Sequence, residues 1–194
     1  MANKSKIILI GAGGHSEACI DVLEVEKRFK ILGLIDTKKN NVLNKYKVID
    51  KLTNLKKLRN KSRYALIAIG QIKSPALRIK IYKKLKKLNF NLPIIISPKA
   101  IISKFSRIEE GTIIMHGAYV GPNTRIGKNC IINTNAHIEH GCIIEDNCHI
   151  STSSVLNGNV KIGSGTFVGS GSIFKEDIKV PKNSFIKMGS IIKN

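Results

Sequence analysis

Three of the five histidines in this sequence lie close together in its second half, at positions 137, 140 and 149. Glu139 directly precedes His140. A carboxylate near an imidazole raises the basicity of the ring and can fix its tautomer, and a general base at neutral pH needs both properties. The pattern therefore predicts acid–base chemistry at His140, while a solvated surface histidine is the alternative for each of the three positions.

A second candidate site lies near the start of the sequence, where an apolar run breaks into glycines. Residues 6–10 lead into Gly11-Ala12-Gly13-Gly14-His15, and a helical pattern follows. A strand, a glycine turn and a helix can hold a phosphate, because the ligand can approach the backbone and the helix N-terminus offers N–H groups. A second apolar run, 31–35, ends in Asp36, from which a carboxylate can reach a ribose hydroxyl. Ser16 replaces the third glycine of the dinucleotide motif, so this signal is weak alone.

The remaining patterns of the first half predict further strands and a helix. A third strand, 64–69, stops at Gly70, a helix begins at Pro75, and residues 92–96 supply a last strand. Together these elements predict a small α/β domain of the βαβ kind over residues 1–98. Ligands of such sheets bind at the carboxyl ends of the strands, so we expect the glycine turn, the acidic residue and Gly70 to lie together.

A repeat of six residues organises the second half. Every sixth residue from Ile102 to Ile192 is apolar, and the residue four places after each is nearly always small. A period of six fits neither an α-helix nor a flat half-buried strand, so the repeating unit is a short strand plus a turn. Residues 99–194 are therefore predicted to form a parallel β-helix of about five coils, three hexads to a coil. A β-sandwich with an accidental period is the alternative.

Charge is distributed unevenly along the chain. The formal net charge is +20, of which residues 1–99 carry +17 (23 Lys and Arg against 6 Asp and Glu) and residues 100–194 carry +3. A basic half can bind nucleic acid, an anionic membrane surface or a phosphorylated small substrate, and it can also merely solvate the surface. Aromatic residues make up 5% of the chain and Trp is absent. Because no basic stripe offers base stacking, we expect no nucleic-acid partner.

The four cysteines form neither a metal-binding nor a disulfide pattern. Cys130, Cys142 and Cys148 fall in the small column of the repeat, where a thiol acts as a compact apolar filler. Cys19 lies far from them and no CxxC pair occurs, so we expect neither a metal nor a disulfide. No window approaches ~18 apolar residues, and the first apolar run is too short for a signal peptide. These features predict a cytoplasmic protein without a membrane partner.

These features together resemble the hexapeptide-repeat acyltransferases, and more narrowly the NeuD/PglD type of sugar acetyltransferases. The resemblance rests on the glycine turn ending in His15, on Ile69-Gly70, on Asn133-Thr134, on Ile138-Glu139-His140 and on His149. It covers essentially the whole chain apart from its end. It implies a left-handed β-helix, a homotrimer, and acetyl-CoA as the donor, bound between adjacent subunits.

The resemblance also implies roles for residues of the repeat region. His140 matches the general base, and Glu139 matches the carboxylate that tunes it. Asn133 matches a polar active-site residue, His149 a histidine beside the acetyl donor, and Gly158 the glycine whose N–H would meet the thioester carbonyl. Acyl transfer at such a site needs one group to remove the acceptor proton and one donor to stabilise the oxyanion, and it needs no metal.

The substrate side of the resemblance lies in the first half. Gly13, Gly14, His15 and Asp36 match the nucleotide-sugar side, and Gly70 is expected to join them at the same edge of the sheet. The sequence therefore predicts an N-acetyltransferase that acts on the amino group of a UDP-linked 4-amino sugar. One open alternative is O-acetylation of a sialic acid or a related sugar hydroxyl. The other is a non-catalytic, basic, trimeric binding module.

Two features depart from the family pattern. The family usually closes with a Gly-Val-Pro-Ala-Lys segment near the nucleotide of CoA, whereas this sequence ends in Met188-Gly189-Ser190-Ile191-Ile192-Lys193-Asn194. We therefore expect a weaker hold on the adenine end of CoA. His116 and His137 have no counterpart in the motifs and are expected to be surface residues.

Overall fold

The computed structural model describes residues 4–37, 41–43 and 45–194. Its contacts divide the chain into two compact units. The first consists of Met1–Gly70 and Arg78–Pro93, and the second consists of Gln71–Leu77 and Ile94–Asn194. The short segment Gln71–Leu77 thus belongs to the unit that carries the repeats, although it precedes the end of the first unit in the sequence.

The first unit is a mostly parallel sheet whose strands alternate with helices along the chain. Its elements are β1 (Ser5–Ile10), α1 (Gly14–Glu26), β2 (Phe29–Ile35), β3 (Asn41–Val42), β4 (Tyr46–Asp50), a 3₁₀ turn (Leu52–Asn54), α2 (Leu55–Leu58), β5 (Tyr64–Ile67) and, from Arg78 onward, α3 (Ala76–Lys87). The strand order is β3-β4-β2-β1-β5, with β3 antiparallel to β4 and the other neighbours parallel. The predicted small α/β architecture is confirmed.

Burial accounts for the central position of β1 in the sheet. It also shows which side chains of α3 face the core. The residues of β1 from Ile7 to Ile10 are fully buried, as in a central parallel strand that is covered on both faces. On α3, Ile81 and Leu85 face the core as the helical spacing predicts. Leu77, which the same spacing assigns to that face, is 52% exposed, because Arg78 occupies the inward position one residue later.

The second unit is a solenoid of two-residue strands that begin every six residues. Within residues 94–194, all of which are described, the strands are β6 (Ile95–Ile96), β7 (Ile101–Ile102), β8 (Arg107–Ile108), β9 (Ile113–Ile114), β10 (Tyr119–Val120), β11 (Arg125–Ile126), β12 (Ile131–Ile132), β13 (His137–Ile138), β14 (Ile143–Ile144), β15 (His149–Ile150), β16 (Val155–Leu156), β17 (Lys161–Ile162), β18 (Phe167–Val168), β19 (Ile173–Phe174), β20 (Lys179–Val180), β21 (Phe185–Ile186) and β22 (Ile191–Ile192).

Each strand pairs in parallel with the strand three further along the chain, so three strands make one coil. The strands form three sheets: sheet I (β7, β10, β13, β16, β19, β22), sheet II (β8, β11, β14, β17, β20) and sheet III (β6, β9, β12, β15, β18, β21). The apolar column and the small column fill the interior together, from Ile114 and Ala118 to Phe174 and Val180. The predicted left-handed β-helix is confirmed.

The solenoid begins earlier than the sequence patterns indicate. Ile95 and Ile96 pair with Ile113 and Ile114 of the next coil in sheet III. Residues 92–96 were expected to form the last strand of the first sheet. Ile96 instead continues the apolar column one hexad before Ile102, where it packs against the core of the solenoid.

A third column, which the sequence patterns did not reveal, marks the turns of the coils. From residue 111 to residue 189, every sixth residue has a positive φ, between 55° and 74°. Glycine and asparagine adopt this left-handed conformation most readily, and they occupy most of these positions. The residues are Gly111, Gly117, Asn123, Asn129, Asn135, Gly141, Asn147, Ser153, Asn159, Gly165, Gly171, Asp177, Asn183 and Gly189.

Candidate active site

His140 lies at a turn between sheets I and II, directly beside a glycine of the next coil. It follows β13, and Gly158 follows β16, the partner of β13 in sheet I. A Cβ built on Gly158 would lie 2.6 Å from His140 Cε1 and 2.8 Å from its Nε2. The exposed imidazole of His140 therefore occupies the space that a side chain at position 158 would need.

The glycines at this turn leave both the histidine and a backbone donor accessible. Gly121, one coil earlier, lies under the peptide that joins Glu139 to His140, since a Cβ there would be 2.8 Å from Glu139 C and His140 N. On the other side, the N–H of Gly158 has no acceptor among the residues that the structure describes. An imidazole and an N–H without an acceptor therefore lie together, as acyl transfer requires.

Glu139 contacts a different histidine from the one expected. Its Oε1 lies 2.9 Å from His137 Nε2, and the His137 ring stacks on Tyr119 with centroids 4.6 Å apart. Over the described ranges, no hydrogen bond or ion pair joins Glu139 to the ring of His140. The expected pairing is replaced because residues two apart on a strand point to the same side. His137, expected to be a simple surface residue, is thus half-buried in a small polar cluster.

His149 lies in a hydrogen-bonded network and is only 6% exposed. Its Nδ1 is 2.5 Å from the carbonyl oxygen of Gln71, which can only accept, so Nδ1 carries the proton. Its Nε2 then accepts from the side-chain amide of Asn133 at 3.2 Å, and Asn133 Oδ1 accepts from Thr134 N–H. Asn133 and His149 are therefore brought together. The burial of His149 was not foreseen, because Gln71 is remote in sequence.

In the first unit, Asp36 is tied to the glycine turn. Its Oδ2 accepts a hydrogen bond from the Ala12 N–H at 2.8 Å, and its Oδ1 accepts from the Thr37 N–H at 2.6 Å. Gly13 precedes α1 in an extended conformation, and no side chain caps the helix. Among the described residues, no atom of another part of the chain lies within 4 Å of a Cβ built on Gly13 or Gly14. The turn therefore presents open backbone at a helix N-terminus, where anions bind.

His15 and Gly70 complete this end of the sheet. A Cβ on Gly70 would lie 3.6 Å from His15 Cβ, so the end of β5 touches the first turn of α1. The predicted substrate residues of the first unit thus lie at the carboxyl ends of β1, β2 and β5, the edge at which α/β sheets bind ligands.

A separate cleft lies at the opposite end of the same sheet. Its volume is about 820 Å³, and it is lined by the starts of β2 and β4 and the end of α1. Its rim carries Lys4, Lys27, Lys30, Lys45 and Lys47. This is the amino end of the parallel strands, where the fold offers neither a glycine turn nor a helix N-terminus, so we place the candidate substrate site at the other end.

The cysteines are buried thiols. All four are free and buried. Burial raises the pKa of Cys19 to about 12 and that of Cys142 to about 11, so both remain protonated at neutral pH.

Across the described residues, no cluster of three His, Cys, Asp or Glu side chains could hold a metal ion. In the same part of the chain, none of the helices has the length and apolar character needed to span a membrane.

Comparison with known protein families gives one match for each half of the chain. Residues 6–85 match the family described as the PglD N-terminal domain. Residues 96–194, just over half of the chain, match the family described as the GMPPB C-terminal domain, and this half belongs to that family. A search of the curated proteins found no match.

Solved structures resemble the chain over its whole length. PerB from Caulobacter crescentus, in complex with CoA and GDP-perosamine, is 26% identical with a TM-score of 0.91, over 100% of this chain and 90% of that one. The acetyltransferase domain of PglB from Neisseria gonorrhoeae, in complex with acetyl coenzyme A, is 25% identical with a TM-score of 0.90, over 98% and 93%. The match to the PglD N-terminal domain and these two structures confirm the resemblance to the hexapeptide-repeat sugar acetyltransferases.

The protein is an acyltransferase, as the resemblance of its motifs implied. WeeI from Acinetobacter baumannii shares the fold, with 20% identity and a TM-score of 0.74 over 98% of each chain. The first unit of this acetyltransferase carries the glycine turn, and its solenoid carries His140 and Gly158.

Proposed function

We propose that the protein transfers the acetyl group of acetyl-CoA to the amino group of a UDP-linked 4-amino sugar, with His140 as the general base. The observation that carries this proposal is the pairing of an exposed imidazole with Gly158, whose N–H has no acceptor among the described residues. Similar structures that contain CoA with GDP-perosamine, or acetyl coenzyme A, support the donor and the class of acceptor. These co-substrates are consistent with a cytoplasmic enzyme.

The reaction follows from these two groups. The acceptor amine attacks the thioester carbonyl, and His140 takes the proton that the nitrogen loses. The N–H of Gly158 stabilises the negative charge that develops on the carbonyl oxygen. When the tetrahedral intermediate collapses, the carbon–sulfur bond breaks and the thiolate of CoA takes the proton back from His140. The products are an N-acetyl sugar and CoA, and the base is regenerated.

We assign binding roles to the remaining residues according to their unit. The first unit forms the nucleotide-sugar domain, in which Gly13, Gly14 and His15 present the helix N-terminus to the diphosphate. Asp36 fixes the turn through the Ala12 N–H, and Gly70 borders the same site. The second unit forms the acyltransferase domain.

Asn133 and His149 belong to the acetyl-CoA side of the proposed site. Their mutual hydrogen bond, and the bond from His149 to the Gln71 carbonyl, hold both side chains in one arrangement. His149, which these two hydrogen bonds hold in place, is suited to shape the donor site, whereas proton transfer is assigned to His140. Glu139 supports this region through His137.

We further propose a homotrimer that associates through sheet I. The outward residues of this sheet are Ile101, Tyr119, His137, Val155, Ile173 and Ile191. Ile101 is 67% exposed and Ile191 is 64% exposed, and an apolar row of this kind is typical of a protein interface. His140 lies at the edge of this sheet, so a neighbouring subunit would border the base. Light scattering after gel filtration would give the mass of the assembly, and a monomeric mass would contradict the proposal.

The activity test uses two acceptors. The protein is incubated with acetyl-CoA and a 4-amino sugar linked to UDP or to GDP, because PerB holds GDP-perosamine. A thiol reagent reports released CoA, and mass spectrometry reports one acetyl group on the sugar. We expect acetylation that resists mild base, as an amide does. An acetyl group lost in mild base would indicate a hydroxyl acceptor, and no product with either sugar would contradict the proposal.

A further inference from the structure

A charged side chain lies inside the first unit, where arginine is rarely found. Arg78, near the start of α3, is 1% exposed. Its Nη1 donates hydrogen bonds to the carbonyl oxygen of Ile67 at 3.0 Å and to that of Ile69 at 2.7 Å. Two carbonyls on either side of Ala68 therefore converge on one guanidinium, which fixes the backbone where β5 ends.

The end of β5 in turn supports the glycine turn. The Ala68 N–H donates to the last carbonyl of β1 at 2.8 Å. A Cβ on Gly11 would lie 2.7 Å from Ile69 Cγ1, so the glycine turn packs directly on this segment. Gly70, the next residue, lies against His15. A shift of the backbone after β5 would therefore move the glycine turn and the first turn of α1.

The guanidinium also brings a positive charge close to α1. Burial raises the pKa of the Cys19 thiol, and the charge of Arg78 partly opposes that rise. The charge of Arg78 therefore acts on Cys19, in the second turn of α1. A cation beside α1 and the positive end of the helix dipole both attract an anion bound at the glycine turn.

We propose that Arg78 is a positioning residue for the diphosphate of the nucleotide sugar. It holds the end of β5 against the glycine turn and adds a buried positive charge behind that turn. This inference rests on the proposed nucleotide-sugar site. Arg78 acts through the turn and through its field, and it takes no part in proton transfer at His140.

The test compares two substitutions of Arg78 with a matched control on the same helix. Arg78→Met removes the charge and the hydrogen bonds, Arg78→Lys keeps the charge, and Lys80→Met removes an equal charge from an exposed position. Calorimetry on the full chain gives the Kd of UDP and UMP, or of GDP and GMP if the wild type prefers guanine. We expect Arg78→Met to weaken diphosphate binding about tenfold or more, and Lys80→Met to change it by less than about twofold.

Two further measurements separate positioning from a general structural role. Loss of affinity is expected to be smaller for the monophosphate than for the diphosphate, because the field acts on phosphate charge. In steady-state assays, Arg78→Met raises KM for the nucleotide sugar and leaves KM for acetyl-CoA unchanged. Arg78→Lys recovers part of the lost affinity, since it retains the charge.

Several results would overturn the inference. A folded Arg78→Met variant that binds the diphosphate like the wild type would do so, and so would an equal loss for monophosphate and diphosphate. If Arg78→Met does not fold, Arg78→Lys decides, because the shorter lysine side chain does not carry its ammonium to the position of Nη1. Affinity equal to that of the wild type would then refute the proposal. A wild type that binds neither UDP nor GDP would instead overturn the nucleotide-sugar site itself.

Discussion

Glycines border both candidate sites, but the space around them differs. In the first unit, a Cβ on Gly13 or Gly14 would meet no atom of the described residues within 4 Å. In the solenoid, a Cβ on Gly121 would meet the peptide before His140 at 2.8 Å, and one on Gly158 would meet the His140 ring at 2.6 Å. The first pair leaves room for something outside the chain. The second pair makes room for a histidine of the chain itself.

This difference shows what a glycine can and cannot indicate in a sequence. Open space at a helix N-terminus is what a phosphate needs. The space beside Gly158 is filled by the imidazole of His140, which is thereby held in position. The backbone N–H of Gly158 has no acceptor among the described residues and stays available beside the ring. One residue type therefore serves ligand access in one region and side-chain placement in the other, and substitutions should affect different steps.

The largest expected effect is the loss of the base. We expect His140→Ala to lower kcat by about 10²–10⁴ while the protein stays folded, because His140 is exposed. His116→Ala is the matched control, since this histidine of the solenoid is hydrogen-bonded to Ser97 and has no role in the proposed reaction. Initial rates at saturating substrates and thermal melts of both variants give the comparison. Wild-type turnover in His140→Ala would remove the proposed role from this residue.

The solenoid could be predicted closely because each hexad repeats one local rule. A large apolar residue and a small one recur from Ile102 onward, and the observed strands keep that register throughout. The start at Ile95 was missed because residues 92–96 also fit a buried strand of the first sheet. The column of positive-φ residues at the turns was missed because it mixes glycine with asparagine and contains no apolar residue that would mark the period.

The sites could be predicted only in part, because side chains meet partners that spacing does not reveal. The residues flanking His140 were recognised by motif, but the strand direction pairs Glu139 with His137. Gln71 covers His149 from far away in the sequence. Arg78 is 1% exposed, and nothing in the local sequence pattern around it indicates that it is buried.

A smaller effect is expected from filling the space beside His140. Gly158 does not have a positive φ, so Gly158→Ala carries no backbone penalty, and its Cβ displaces the imidazole. A misplacement of about 1 Å can cost about 10²-fold in rate, and we expect kcat to fall by about 10- to 100-fold at an unchanged KM for the sugar. Gly14→Ala, in open space, should leave kcat unchanged. If steady-state kinetics gave equal kcat values for Gly158→Ala and Gly14→Ala, the absence of a side chain at position 158 would not be needed to position His140.

Filling the open space of the first unit should affect binding and not turnover. Gly13 has φ −100° and ψ −173°, which any residue can adopt, so Gly13→Leu should leave the melting temperature unchanged. Its side chain would occupy the space before the helix, and we expect UDP affinity to fall about tenfold. Titration calorimetry measures this change, with acetyl-CoA binding as the control. Unchanged UDP affinity would mean that the open space is not the ligand site.

The smallest effect concerns a third use of glycine, at the positive-φ column of the coil turns. Ser153 is the one member of that column that is neither Gly, Asn nor Asp, and its φ is 55°. Because asparagine adopts this conformation more readily than serine, Ser153→Asn should raise the free energy of unfolding by about 0.5 kcal/mol. The reciprocal change, Asn135→Ser one coil earlier, should lower it by a similar amount. Denaturant unfolding compares the two variants, and kcat should not change in either. The contrary result would be that both substitutions shift the free energy of unfolding in the same direction. The backbone preference of the single residue would then not govern the stability of these turns, and contacts with neighbouring residues would.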